Sequence, residues 1–244
     1  MSRAIGWDDI ELLDALGEGQ SGSVWRGRLK RPVGEYPAGA IVAVKRYKPW
    51  VLHERGQIAR IFAEVETGRR IVHRNVMRVL GAVMDDSGRP ALVMQYYDGP
   101  TLESLLREMR ARDTPLPVET SFAYLRDLAS GIRALHAGGI IHRDIKPANV
   151  IVHSEGLVVA DFGVVRSQDL PEQTTTGAFL GTIRYAAPEY LFGRDYNDRI
   201  DIYSLGAIAY ELFSNREVFR GREALGSGNC DARRGRAAAG TRGT

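Results

Sequence analysis

The densest chemistry in this 244-residue sequence is the string His142-Arg143-Asp144-Ile145-Lys146-Pro147-Ala148-Asn149, followed after an apolar run by Asp161-Phe162-Gly163. One short loop holds an Asp, a Lys and an Asn, and a second Asp comes shortly after. That is the residue set needed to gather a nucleotide phosphate, its metal ions and an acceptor hydroxyl around one point.

Such a loop works only if rigid elements present it. Before it, Ser121–Ala137 reads as a helix with Phe122, Leu125, Leu128, Ile132 and Leu135 on one stripe. After it, 149–152 and 156–160 read as short apolar strands around a turn at Ser154-Glu155. Asp201–Phe213 is apolar almost all round, which predicts a helix buried on every side. Leu102–Arg112 predicts a further helix. Upstream the pattern changes to β. Ile10–Leu16, Ser23–Arg28, Ala40–Arg46, Val76–Met84 and Ala91–Tyr96 read as strands, with one amphipathic helix over Ile58–Val72. The connection between the second and third strands contains Pro32, Gly34, Pro37 and Gly39 and is long for a hairpin, so it reads as a loop insertion. Tyr97-Asp98-Gly99-Pro100 is a turn and a natural boundary.

Gly17-Glu18-Gly19-Gln20-Ser21-Gly22-Ser23-Val24 lies between the first two strands and fits G-x-G-x-x-G-x-V. Glycines let main-chain N–H groups approach phosphate oxygens with no Cβ in the way, although a Gly-rich hairpin turn fits the same residues. A strand follows, where a dinucleotide fingerprint would need a helix.

Together these strings, in this order, resemble eukaryotic-type protein kinases of the serine/threonine class. The resemblance runs from Ile10 to about Phe219 and implies an α+β, two-lobed fold. Residues 1–96 would form a small antiparallel β lobe with one helix, and 97–220 a mainly helical lobe. It implies ATP and Mg²⁺ as cofactors and a protein as substrate. Asp144 is then the catalytic base, Lys146 neutralises the transferred phosphoryl group, and Asn149 and Asp161 ligate the metal. Val42-Ala43-Val44-Lys45 resembles the strand carrying the phosphate-binding lysine, with Glu64, nine residues before His73, as its partner and Glu66 as runner-up. Gly17, Gly19 and Gly22 would cover the phosphates. Val24, Ala43 and Ile151 would enclose the adenine, Met94 would back the pocket, and main-chain groups near Gln95 and Tyr97 would bond the base edge. His142 would pack beneath the loop, and Asp201 would bond the loop's backbone. Lys146 and Thr182 point to Ser/Thr acceptors. Arg143 implies control by phosphorylation of the segment before Ala187-Pro188-Glu189, with Thr174, Thr175 and Thr176 as acceptors.

Composition restricts the alternatives. The net charge of +3 gives no footprint for nucleic acid. No apolar run reaches membrane-spanning length, and one cysteine, Cys230, suits a reducing cytoplasm. Only Lys30, Lys45, Lys48 and Lys146 are lysines among 33 basic residues, and two of those four fall at phosphate-contacting positions. Two departures stand out. Gly68 falls in the predicted helix after Glu64, where it costs about 1 kcal/mol relative to Ala. Beyond Phe219 the sequence reads as lacking the family's further helices, and residues 221–244, mostly Gly, Arg and Ala, read as a disordered tail. A nucleotide-binding but inactive scaffold is therefore the competing expectation. A small-molecule phosphotransferase fits less well, because the Asp161-to-Glu189 segment is present.

Overall fold

The computed structural model describes residues 4–19, 22–49, 57–161 and 184–219, the side chains of residues 57, 60 and 64 excepted. Five strands, β1 (Ile10–Glu18), β2 (Gly22–Leu29), β3 (Ile41–Tyr47), β4 (Val79–Met84) and β5 (Pro90–Gln95), form one antiparallel sheet. Their order is β1-β2-β3-β5-β4. Hairpin neighbours pair locally, whereas β3 pairs with β5 across the helix α1 (Gln57–Arg69). That helix stops three residues before the expected Val72, just past Gly68, whose carbonyl accepts the Ile71 N–H. Ile61 and Val65 turn its apolar side to the sheet.

The central strands β3 and β5 are buried on both faces. Ala43, Leu92 and Met94 belong to the inner cluster, which continues into the helical part through Leu102, Leu106, Leu128, Ile132 and Leu135. Val42, Val44, Ala91 and Val93 belong to an outer cluster covered by Ile5, Trp7 and Tyr36. Residues buried on both faces explain why these strands read as continuous apolar runs.

The helical part comprises α2 (Leu102–Ala111), α3 (Val118–Ala137), α4 (Pro188–Leu191) and α5 (Arg199–Ser214), with a hairpin of β6 (Val150–His153) and β7 (Gly156–Val159). Thr101 caps α2, its side chain accepting the Ser104 N–H at 3.2 Å. Chain segments stitch the two parts together. Met77 N–H donates to Val159 O, Val159 N–H to Asn75 O, and the Asn75 side chain to Leu157 O, all at 2.8–2.9 Å.

Two expectations need correction. Helix α5 is not buried on every side: Ile200, Asp201, Ser204, Ile208, Glu211 and Leu212 are buried, but Ile202 is 51% and Tyr210 50% exposed. Among the described elements it packs on α3, so only one side is covered. A cavity of about 730 Å³ runs along the open side, lined by Ile202, Tyr203, Tyr210 and Phe219 among others. Likewise Phe122, placed on the core stripe of α3, is 60% exposed and meets Phe213 edge-to-face at 4.9 Å. Phe162, Gly163, Thr174, Thr175, Thr176, Thr182 and the tail at 221–244 lie outside the described residues. Among the described residues no helix is long and apolar enough to cross a membrane.

The turn between β4 and β5 is built around Asp85, whose side chain is fully buried. Arg46 Nη2 donates to its Oδ2 at 2.7 Å, and the Ser87 and Arg89 N–H groups donate to its Oδ1 at 2.8 and 3.0 Å. Burial pushes this carboxyl up, but Arg46 and the two N–H groups outweigh it and the net shift is downward. A depressed carboxyl stabilises the fold above its unfolded value, near 4, and loses that contribution as pH falls through the folded value. Asp85→Asn therefore destabilises by about 2 kcal/mol at pH 7. Urea melts should show the gap to wild type closing as the pH drops below about 4.

Candidate active site

Lys45 enters from the middle of β3, where its neighbours Val44 and Ala43 are buried and its own residue is only 6% exposed. A buried ammonium needs a counter-charge. Its Nζ bonds Oδ1 of Asp161, just beyond β7, across the junction of sheet and helical part. Burial raises the Asp161 carboxyl. The Lys45 charge and hydrogen bond, with Lys146 nearby, more than compensate, so the group is held below the usual carboxylate range. The expected partner Glu64 lies in α1, and its side chain is outside the described residues. The runner-up Glu66 pairs with Arg69 at the surface, 2.8 Å apart.

The loop after α3 brings the remaining charges together. Lys146 Nζ is 3.0 Å from Asp144 Oδ2, and Asn149 Nδ2 donates to the same oxygen at 3.1 Å and to the Asp144 carbonyl at 2.9 Å. A nitrogen facing two oxygens fixes the amide, so Asn149 Oδ1 is its remaining ligand atom. Pro147–Asn149 form a 3-10 turn, and Ala160 N–H donates to the Asn149 carbonyl at 2.9 Å. Asn149 is thus tied to the strand end that carries Asp161.

Beneath the loop, His142 is fully buried. Its Nδ1 accepts the Asp144 N–H at 3.3 Å, which places the proton on Nε2, 3.0 Å from the Ala160 carbonyl. An imidazole so engaged is a packing and orienting group, as the sequence suggests. Asp201, at the start of α5, reaches the loop from below. It accepts the His142 and Arg143 N–H groups at 2.8 Å each and lies 2.8 Å from His136 Nε2. Arg143 sits at φ 64° and Asp161 at φ 59°, the left-handed region that non-glycine residues rarely adopt. Asp201 holds the first of these in place.

The apolar residues expected around a base also converge. Ala43, Met94, Val24, Tyr97 and Ile151 share one cluster. The turn to α2 is sewn onto β6 by a Thr101–Ile151 bridge and by Val152 N–H on Pro100 O at 2.8 Å. At the start of β2, Gly22 is required by the protein itself, since a Cβ there would lie 2.1 Å from the Arg46 carbonyl. Gly17 is different. Among the described residues a Cβ there would meet nothing within 4 Å, so their packing does not require the glycine. Gly19 N–H closes the turn by donating to the Gly22 carbonyl at 2.8 Å.

One buried acid was not singled out from sequence. Glu211 of α5, only 1% exposed, accepts from Arg110, from the Tyr185 hydroxyl and from Val218 N–H at 3.2, 2.9 and 3.1 Å. Burial first, and then Glu211, pushes the Tyr185 hydroxyl up, so it stays a donor. An acid in the middle of an apolar stretch of helix is the signal that could have found it.

Comparison with known proteins agrees with this arrangement. The family described as "Protein kinase domain" matches residues 10–238. The chain is 35% identical over 223 residues to the serine/threonine-protein kinase PkaA of Streptomyces coelicolor, covering 88% of this chain and 40% of that one. It is 33% identical over 215 residues to PknA of Mycobacterium tuberculosis, covering 86% and 48%. PknL of the same organism is 39% identical over 160 residues, covering 64% and 39%. The chain therefore spans less than half the length of each of these relatives.

Proposed function

Since the chain belongs to the protein kinase family, we propose that it transfers the terminal phosphoryl group of ATP to serine or threonine hydroxyls of proteins. The observation that carries this reading is the junction of Lys45 and Asp161 beside the Asp144–Lys146–Asn149 cluster. The relatives named as serine/threonine-protein kinases support the same acceptor class.

In this reading residues 1–96 cover the nucleotide and 97–220 carry the catalytic loop. Asp144 accepts the acceptor proton as the new O–P bond forms and the bond between the β,γ-bridging oxygen and the γ-phosphorus breaks. Lys146, already 3.0 Å from Asp144, neutralises charge on the group in transit. Lys45 orients the phosphates, and Glu64 would be its partner with Asp161 engaged as a metal ligand. Gly17, Gly19 and Gly22 lay backbone over them. Val24, Ala43, Ile151 and Met94 enclose the adenine, and main-chain groups of Gln95 and Tyr97 bond its edge. Asn149 Oδ1 and the Asp161 carboxylate are hard oxygen donors that fit Mg²⁺. Bound there, Mg²⁺ would draw charge from the phosphate oxygens. Autophosphorylation on Thr174 or Thr176 and a cytoplasmic place of action, where Cys230 stays reduced, complete the proposal.

The test is phosphoamino-acid analysis of a generic basic protein incubated with the full chain and γ-labelled Mg-ATP. Label should appear on serine and threonine. Label confined to tyrosine would overturn the acceptor assignment.

A further inference from the structure

The loop between β2 and β3 is a sequence feature that the proposed chemistry leaves unused. It does not project away from the fold. Gly39 N–H donates to Leu29 O and Leu29 N–H to Ala40 O, at 2.7 and 2.9 Å, which closes its base. At its tip Val33 and Tyr36 form an antiparallel bridge, each N–H on the other's carbonyl at 2.9 and 3.0 Å, with Gly34 at φ 58° making the turn. Val33 is buried in the outer cluster of the sheet, and Tyr36 packs against that cluster. From there the Tyr36 hydroxyl donates to Gln95 Oε1 at 2.9 Å, a contact spanning 59 residues of sequence.

Strand alternation gives this contact its meaning. Met94 belongs to the inner cluster, on the side of Ala43 and Val24, while Val93 belongs to the outer one. Gln95, opposite Val42 of the outer face, turns its side chain outward towards Tyr36. In the ATP reading its main chain is the edge offered to the base. Its N–H already donates to Arg78 O at 2.9 Å, so the group it can offer a ligand is its carbonyl. Burial first, and then the nearby Glu35 and Tyr97, pushes the Tyr36 hydroxyl up, so it remains a donor. On the other side of the boundary, Tyr97 meets His153 of β6 edge-to-face at 5.6 Å. The loop, the end of β5 and the β6 hairpin are thereby linked in series.

We infer that Tyr36 is a positioning residue for nucleotide recognition: by holding the Gln95 side chain from behind, it fixes the main-chain edge that receives the adenine. The inference rests on the ATP reading above. It concerns the base and not the phosphates, and that difference makes it testable.

Calorimetric titration of the full chain with adenosine and with Mg-ATP compares wild type, Tyr36→Phe, Gln95→Met and the double variant. Loss of one well-placed hydrogen bond should weaken both ligands by the same factor, about five-fold. The double variant should be no weaker than either single one, because both remove one shared interaction. In turnover the change should fall on KM for ATP, with kcat at saturation unchanged. Unchanged affinity in Tyr36→Phe overturns the inference while leaving the ATP reading intact. So does a loss seen with Mg-ATP but not with adenosine, or a loss that falls on kcat. A wild-type chain that binds neither ligand overturns the ATP reading and this inference with it.

Discussion

Replacing Asp144 by Asn is expected to lower kcat about a thousandfold while changing Mg-ATP affinity by less than about three-fold. The side chain is 14% exposed, and one of its oxygens already receives Asn149 Nδ2 and Lys146 Nζ at 3.1 and 3.0 Å. An amide of the same shape fills the space but has no basicity, so the acceptor hydroxyl loses its proton sink at the moment of transfer. Binding is spared because the groups assigned to the nucleotide, Lys45, Asp161 and the Gly17–Gly22 turn, are unchanged. Calorimetry beside turnover separates the two effects. A variant that lost affinity and kcat together would show Asp144 to be organising the loop and not serving as its base.

The second large effect concerns stability. Asp201→Ala should lower the melting temperature by about 10 °C, the equivalent of roughly 3–5 kcal/mol for a domain of this size. The carboxylate is fully buried and serves two main-chain N–H donors and His136. Removing it strands all three. It also frees Arg143, held at φ 64° one residue before the proposed base, so turnover should fall as well. Asp201→Asn keeps one acceptor oxygen and should lose less on both counts. Differential scanning calorimetry of the three proteins checks the order wild type, Asn, Ala.

The loop chemistry was legible because it is written in residue types at fixed offsets. His142, Asp144, Lys146, Asn149 and Asp161 carry it in a short stretch, and the structure gathers all five. Asp201 was legible through the family resemblance, which implies that it bonds the loop's backbone, as it does. Strand identity followed from composition, and hairpin neighbours from proximity in sequence. The β3–β5 pairing and the Lys45–Asp161 bond join residues far apart, and no periodicity announces such a contact. Apolar pattern also does not say which neighbour covers a helix. Ile202 and Tyr210 read as core, yet they face outward because α3 takes only one side of α5. Tyr36 was hidden for the opposite reason. It lies in a turn-rich loop, where sequence signals a change of direction but not what the loop returns to touch.

Lys45, Asp144, Asn149 and Asp161 are proposed to serve one phosphoryl transfer. Incorporation of label from γ-labelled Mg-ATP into a generic basic protein, measured side by side for the full wild-type chain, Lys45→Met, Asp144→Asn and Asp161→Asn, tests it most directly. The expected result is acid-stable label with wild type and a loss of at least about a hundredfold in each variant. Wild type that binds Mg-ATP yet transfers nothing, or an Asp144→Asn chain that transfers at the wild-type rate, would contradict it.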